Sequence, residues 1–194
     1  MRYHAWLSIL LFAACAADPA PVQVPSDDLV GTWRYLPVDP SRTPLDEREL
    51  VVFGADGLYS IRDSRGAQSG SYEVDGHDLT IHSSTGGEIT TGFAARADRL
   101  IIDALFPMGP SDGLIGTWTG VQSSETESSV VALELRTDGT AHFEQTGSIM
   151  EQADATWIRD DPYAVVMFSG TTRSKSYPAL PDVAIGEWLY ERVP

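Results

Sequence analysis

The sequence predicts an all-β protein made of two tandem antiparallel repeats, each a meander or a small barrel. One short phrase occurs twice, as residues 29–33 and 114–118, 85 positions apart. Short segments of alternating apolar and polar residues follow each copy, with a turn signal about every 8–12 residues. No apolar pattern with the helical period extends beyond two turns.

The two copies keep their anchors in the same order. Residues 31–33 correspond to 116–118, and the segment 51–61 corresponds to 133–143, each with an Asp-Gly turn at its centre. The offset changes from 85 to 82 and then returns to 85, and the changes fall in expected loops. Such changes are typical of a duplicated fold.

We expect the first repeat to span residues 29–105 and the second to span residues 114–194. Residues 106–113 contain two prolines and two glycines, which favour a linker over a continuing strand. The preferred architecture is two barrels, and the alternative is one composite barrel built from both halves.

The start of the chain predicts export. The apolar run over residues 5–14 would rise only about 15 Å as a helix, half the thickness of a bilayer core, so residues 1–14 indicate a signal peptide. Residues 15–28 hold three prolines and predict an extended tether. Cys15 is the single cysteine, which excludes a disulfide within the chain.

The end of the apolar run, residues 12–15, resembles the lipobox of bacterial lipoproteins. The resemblance implies that Cys15 is lipidated, becomes the mature N-terminus and anchors the protein in a membrane of the cell envelope. Ala16 resembles the sorting signal for the outer membrane, so in a Gram-negative cell we expect that membrane, with the protein facing the periplasm. An ordinary secretory signal or a buried thiol is the alternative.

A Gly-x-Trp phrase before an antiparallel series is similar to the opening motif of the lipocalin superfamily. In that family the tryptophan packs across the closed end of the barrel, and an arginine near the last strand lies over its ring. Gly31 and Trp33 match the motif in the first half, and Gly116 and Trp118 match it in the second. The resemblance assigns Arg192 to the arginine of the second half.

The arginine of the first half is less clear, with Arg96 and Arg99 as the candidates. Each half has only about 80 residues, so each barrel would be small. Interiors of small barrels are often filled with side chains. The resemblance therefore predicts the barrels without deciding whether either one is hollow.

Composition and the absence of known motifs argue against several classes of function. The net charge of −15 repels nucleic acid. The chain lacks histidine and cysteine at metal-ligand spacing, a nucleophile elbow, a phosphate-binding glycine loop and a dinucleotide fingerprint. We therefore expect a non-catalytic protein without cofactor or metal.

Four apolar residues at expected turns have no obvious place in a core. They are Phe106 and Met108 in the linker, and Ile149 and Met150 in the long connection 146–152. Exposed apolar groups predict contact with a ligand or partner. The alternative is that they cover the junction between the halves.

Two functions remain open from the sequence. A lipocalin-like envelope protein that binds a small apolar or amphipathic ligand requires a cavity. A protein-interaction module of the envelope, such as a scaffold or a protease inhibitor, requires solid barrels and a projecting loop, for which Gln145–Ala153 is the candidate.

Overall fold

The computed structural model describes residues 28–39, 48–124, 126–148 and 150–194. These residues form two eight-stranded antiparallel barrels, which confirms the predicted fold class and the preference for two barrels. The described ranges hold no helix, and hence none able to cross a membrane.

Sixteen strands make up the two barrels, and they are numbered in chain order. They are β1 (Gly31–Tyr35), β2 (Leu50–Phe53), β3 (Leu58–Asp63), β4 (Gly66–Asp75), β5 (Asp78–Ser83), β6 (Glu88–Arg96), β7 (Arg99–Ile102), β8 (Phe106–Pro107), β9 (Gly116–Ser124), β10 (Ser128–Leu135), β11 (Thr140–Gly147), β12 (Glu151–Asp160), β13 (Tyr163–Phe168), β14 (Ser174–Leu180), β15 (Ala184–Ile185) and β16 (Trp188–Arg192).

The Asp-Gly turns form equivalent hairpins in the two halves. Gly57 and Gly139 both adopt left-handed backbone angles, with φ of 76° and 81°. The preceding aspartates accept backbone hydrogen bonds two residues on, at 3.2 Å for Asp56 and 2.9 Å for Asp138. Aspartate favours such turns because its carboxylate replaces a missing backbone acceptor.

The closing strands of the two barrels are exchanged relative to the repeat: β16 closes the first barrel, and β8, which corresponds to the end of β16 at the offset of 85, closes the second. Strands β1 to β7 pair in order, and β16 closes the ring by pairing with both β7 and β1. Strands β9 to β15 also pair in order, and β8 closes that ring against β9. Leu105, just before β8, exchanges two backbone hydrogen bonds with Ile185 of β15. We call these rings the first and the second barrel.

This exchange corrects the expected partition of the chain. Phe106 and Pro107, expected in the linker, form a strand of the second barrel. Residues 188–192, expected in the second repeat, pair within the first barrel. The alternation of apolar residues predicts a strand but carries no information about its partner.

The barrels are in close contact where the chain crosses between them. A side chain on Gly92 or Gly120 would clash with the carbonyl oxygen of Ala104, which lies in the segment 103–105 between β7 and β8. Ala104 of this segment and buried residues of four strands form one small core there: Ala94 of β6, Ile101 of β7, Ala184 of β15 and Leu189 of β16. Strands β6 and β9 also pair directly, so the two rings share one continuous sheet.

The strand exchange predicts which barrel opens when the C-terminus is shortened. A chain ending after Glu187 lacks β16, and we expect the amides of β1 and β7 to lose hydrogen-exchange protection because both become unpaired edges. Amides of β9 and β15 should stay protected. A chain lacking only Pro194 is the control, and loss of protection in β9 and β15 instead would contradict the exchange.

Candidate functional site

The two tryptophans of the repeated phrase occupy the same structural position. Trp33 and Trp118 are both fully buried. The indole nitrogen of each donates to the carbonyl oxygen of the residue four positions earlier, Leu29 at 2.7 Å and Leu114 at 2.9 Å. Gly31 and Gly116, before them, have φ of 148° and 145°.

Arg192 lies over the ring of Trp33, with its guanidinium carbon 4.4 Å from the ring centroid. This contact covers the end of the first barrel that Trp33 closes. The same guanidinium donates hydrogen bonds to three backbone carbonyl oxygens: Ala97 at 2.7 Å, Val30 at 2.9 Å and Asp28 at 2.7 Å.

The assignment of Arg192 to the second half is therefore wrong. Strand exchange brings β16 to the first barrel, where Arg192 pairs in register with Trp33. The residue that pairs with Trp118 is Pro107 of β8. Neither Arg96 nor Arg99 takes the position over Trp33.

Of the four residues expected to contact a ligand or partner, the structure describes three: Phe106 and Met108 lie beside β9, and Met150 precedes β12. Phe106 is half-buried, and its ring stacks on His77 with centroids 4.2 Å apart. Met108 and Met150 are 64% and 83% exposed. The remaining predictions, Ile149, Cys15, the signal peptide 1–14 and residues 15–27 of the tether, lie outside the described residues.

A cavity of about 440 Å³ occupies the first barrel near the turn between β3 and β4. This end of the ring is opposite the one that Trp33 closes. Sequence reasoning missed the site, because its walls come from residues that alternate inward on several strands. The apolar wall consists of Val51, Phe53, Ile61, Ile81, Ile89 and Ile102.

A neighbouring cavity of about 470 Å³ shares Ile61, Ile81 and Ile89 with the first. It extends along the turn between β5 and β6 and reaches Thr126, which belongs to the second barrel. The isoleucines thus form one apolar surface that is available to a ligand from two sides.

The second barrel fills the equivalent space with aromatic rings. Phe143 and Phe168 pack edge to face with centroids 5.8 Å apart, and Tyr177 is only 1% exposed. The strand registers place these three rings at positions where the first barrel has smaller side chains: Ile61 for Phe143, Ser83 for Phe168 and Thr91 for Tyr177. Ile61 and Thr91 line the first cavity, and Ile61 and Ser83 line its neighbour, so the smaller side chains contribute to both spaces.

A carboxylate lines the cavity at the point where the chain leaves the first barrel. Asp103 follows β7 with φ of 56°, a left-handed angle that aspartate tolerates. Its oxygens accept hydrogen bonds from the Thr91 hydroxyl and from the Trp188 indole, the latter at 3.0 Å. Burial raises the pKa of Asp103, and Glu187 adds to the rise, whereas the two hydrogen bonds and Lys175 oppose it.

Three aromatic side chains line the cavity beside Asp103. The ring of Tyr35 lies 5.6 Å from that of Trp188 and 5.8 Å from that of Tyr190. The Tyr190 hydroxyl donates to a Glu49 carboxylate oxygen at 2.6 Å. Burial, together with Glu49, raises the pKa of Tyr190 well above its usual value, so the hydroxyl remains a donor.

The cavity is thus mostly apolar, with a carboxylate and aromatic rings at one side.

Within the described ranges, no group of three or more histidine, cysteine, aspartate or glutamate side chains is placed to hold a metal ion. Comparison with protein-family models, with curated proteins and with solved structures found no match.

Replacing Arg192 by methionine should lower the free energy of unfolding by about 2 kcal/mol, because the change removes the stacking on Trp33 and three charge-assisted hydrogen bonds. Urea denaturation followed by tryptophan fluorescence measures this. Arg99→Met is the matched control: Arg99 pairs with Glu191 at 3.9 Å on the surface, so its loss should cost less than about 1 kcal/mol. Equal losses in the two variants would contradict the role of Arg192.

Asp103→Asn should stabilise the protein relative to wild type increasingly as pH rises. The pKa of Asp103 is higher in the folded than in the unfolded protein. The free energy of unfolding of the wild type is therefore greatest below the unfolded-state pKa, where the carboxyl is protonated, and falls as the pH rises through the folded-state pKa. Asparagine stays neutral and tolerates the backbone angle; its Oδ1 accepts from the Trp188 indole and its Nδ2 donates to the Thr91 hydroxyl.

The measurement is the free energy of unfolding of both proteins from pH 4 to pH 8. The difference between them should be smallest at the acidic end. A difference independent of pH would show that ionised Asp103 carries no burial cost.

Proposed function

We propose that the first barrel binds a small apolar or amphipathic molecule in its cavity, and that the chain is a non-catalytic, lipocalin-like protein of the cell envelope. The observation that carries this proposal is the cavity of about 440 Å³ with its wall of isoleucine, valine and phenylalanine. Small-molecule sites commonly have volumes of about 300–1,000 Å³ and mostly apolar walls with a few polar groups.

The contrast between the barrels supports this interpretation. Both rings have the same strand order and the same buried tryptophan, yet the second is filled by Phe143, Phe168 and Tyr177. Apolar side chains around an empty space lose the dispersion contacts that neighbours would provide. A ligand in the first barrel would supply the contacts that three aromatic rings supply in the second.

The location proposed for the protein rests on residues 12–15 alone, through their resemblance to a lipobox. The described part of the chain enters the first barrel at the end that Trp33 and Arg192 cover, where Asp28 accepts a hydrogen bond from Arg192. An anchor at Cys15 would thus join the protein at the end away from the cavity.

The cavity predicts binding of an uncharged apolar probe, N-phenyl-1-naphthylamine, with increased probe fluorescence. Ile61→Phe copies the second barrel, where Phe143 stands at this station, and should weaken binding at least about tenfold, the factor that corresponds to about 1.4 kcal/mol. Ser60→Phe is the matched control, because Ser60 is the exposed neighbour on the same strand. Unchanged affinity in Ile61→Phe would contradict binding in this cavity.

An interaction module is the second proposal, and the filled interior of the second barrel favours it. Met150 beside the β11–β12 turn is 83% exposed and is available to a partner protein. The probe experiment separates the two proposals. Absence of binding by the wild-type protein would remove the ligand proposal and leave the module.

A further inference from the structure

We propose that the ligand of the first barrel carries an ammonium group that pairs with Asp103 while its apolar part lies along the isoleucine wall. This inference rests on the function proposed above and names the chemical class of the ligand. It predicts that the site distinguishes an amine from an alcohol or a carboxylic acid with the same alkyl chain.

The geometry of the carboxylate supports a cationic partner. Each oxygen of Asp103 accepts one hydrogen bond from an uncharged donor, Thr91 or Trp188. An ionised carboxylate has about four acceptor sites, so two donors leave capacity for another. Lys175, a nearby cation, is ion-paired with Glu187. An ammonium group entering from the cavity could therefore donate to Asp103 and balance its charge.

The aromatic side chains add a second reason. Tyr35, Trp188 and Tyr190 line the cavity together with Asp103. Aromatic rings attract cations that approach their faces, and tyrosine and tryptophan do so more strongly than phenylalanine. The indole of Trp188 donates to Asp103, which places this ring directly beside the carboxylate.

The other charged groups of the cavity do not favour an anion. Asp63 and Glu49 line it as carboxylates, and Arg48 and Arg65 line it as cations, so that with Asp103 the acidic groups are in excess. The side chain of Arg65 is 92% exposed and lies 3.8 Å from the Asp63 carboxylate. The net charge of −15 further raises the local concentration of cations around the protein.

The test is displacement of N-phenyl-1-naphthylamine from the full chain by three ligands with one alkyl chain: octylammonium, octan-1-ol and octanoate. At pH 7 octylammonium should displace the probe at a concentration about tenfold lower than octanol, because a charge-assisted hydrogen bond is stronger than a neutral one. Octanoate should be the weakest of the three.

Asp103→Asn should reduce the advantage of octylammonium over octanol from about tenfold to less than about threefold. Asp78→Asn is the matched control, since it removes one exposed carboxylate at the turn between β4 and β5, near the closed end of the same barrel. The control should retain the advantage. Near-ultraviolet circular dichroism verifies that each variant is folded.

The outcomes distinguish the ammonium inference from the proposal of ligand binding on which it rests. Equal displacement by octylammonium and octanol in the wild type, or stronger displacement by octanoate, overturns the ammonium inference and leaves ligand binding intact. Retention of the advantage in Asp103→Asn, or its equal loss in Asp78→Asn, overturns the role of Asp103. Failure of the wild type to bind the probe overturns both proposals.

Discussion

The pairing of β16 with β1 and β7 is the constraint on which the rest of the structure depends. It closes the first ring, brings Arg192 over Trp33 and places Trp188 and Tyr190 in the wall of the cavity. The reciprocal pairing of β8 closes the second ring. The first ring is therefore built from both ends of the described chain, whereas residues 105–185 supply every strand of the second.

Within this frame the two barrels differ in what they contain. Their closed ends are alike, with the same indole hydrogen bond, and their opposite ends diverge in the size of three inward side chains. A duplicated fold permits this because one copy can retain a filled core while the other loses packing. Asp103 and the aromatic residues then give the hollow copy a polar side, whereas the strand registers place Gly186, which has no side chain, at the equivalent position of the filled copy.

The sequence predicted those features that depend on local residues. The Asp-Gly turns, the alternating strands and the matching tryptophans are properties of short segments, and the structure has them in the expected order. Residues 106–107 were expected in the linker because prolines and glycines surround them, and the pairing of β16 with β1 joins opposite ends of the described chain, which leaves no local trace. Arg192 was matched to Trp118 for the same reason.

The cavity could not be inferred because it depends on several registers at once. The correspondence of Ile61 with Phe143 is visible in the repeat, but its meaning requires knowing that both side chains point inward at the same level of the ring. Asp103 carried no signal either, because a lone acid after a short strand is common at turns.

The two closing strands place different residues opposite the buried indoles: Arg192 faces Trp33, and Pro107 faces Trp118. If residues 105–107 folded back to close the first barrel, Pro107 would stand opposite Trp33, with no guanidinium for the ring and no backbone N–H for a neighbouring strand. Trp33 is therefore covered by a cation from the far end of the chain, whereas Trp118 is equally buried beside a proline only eleven residues before it.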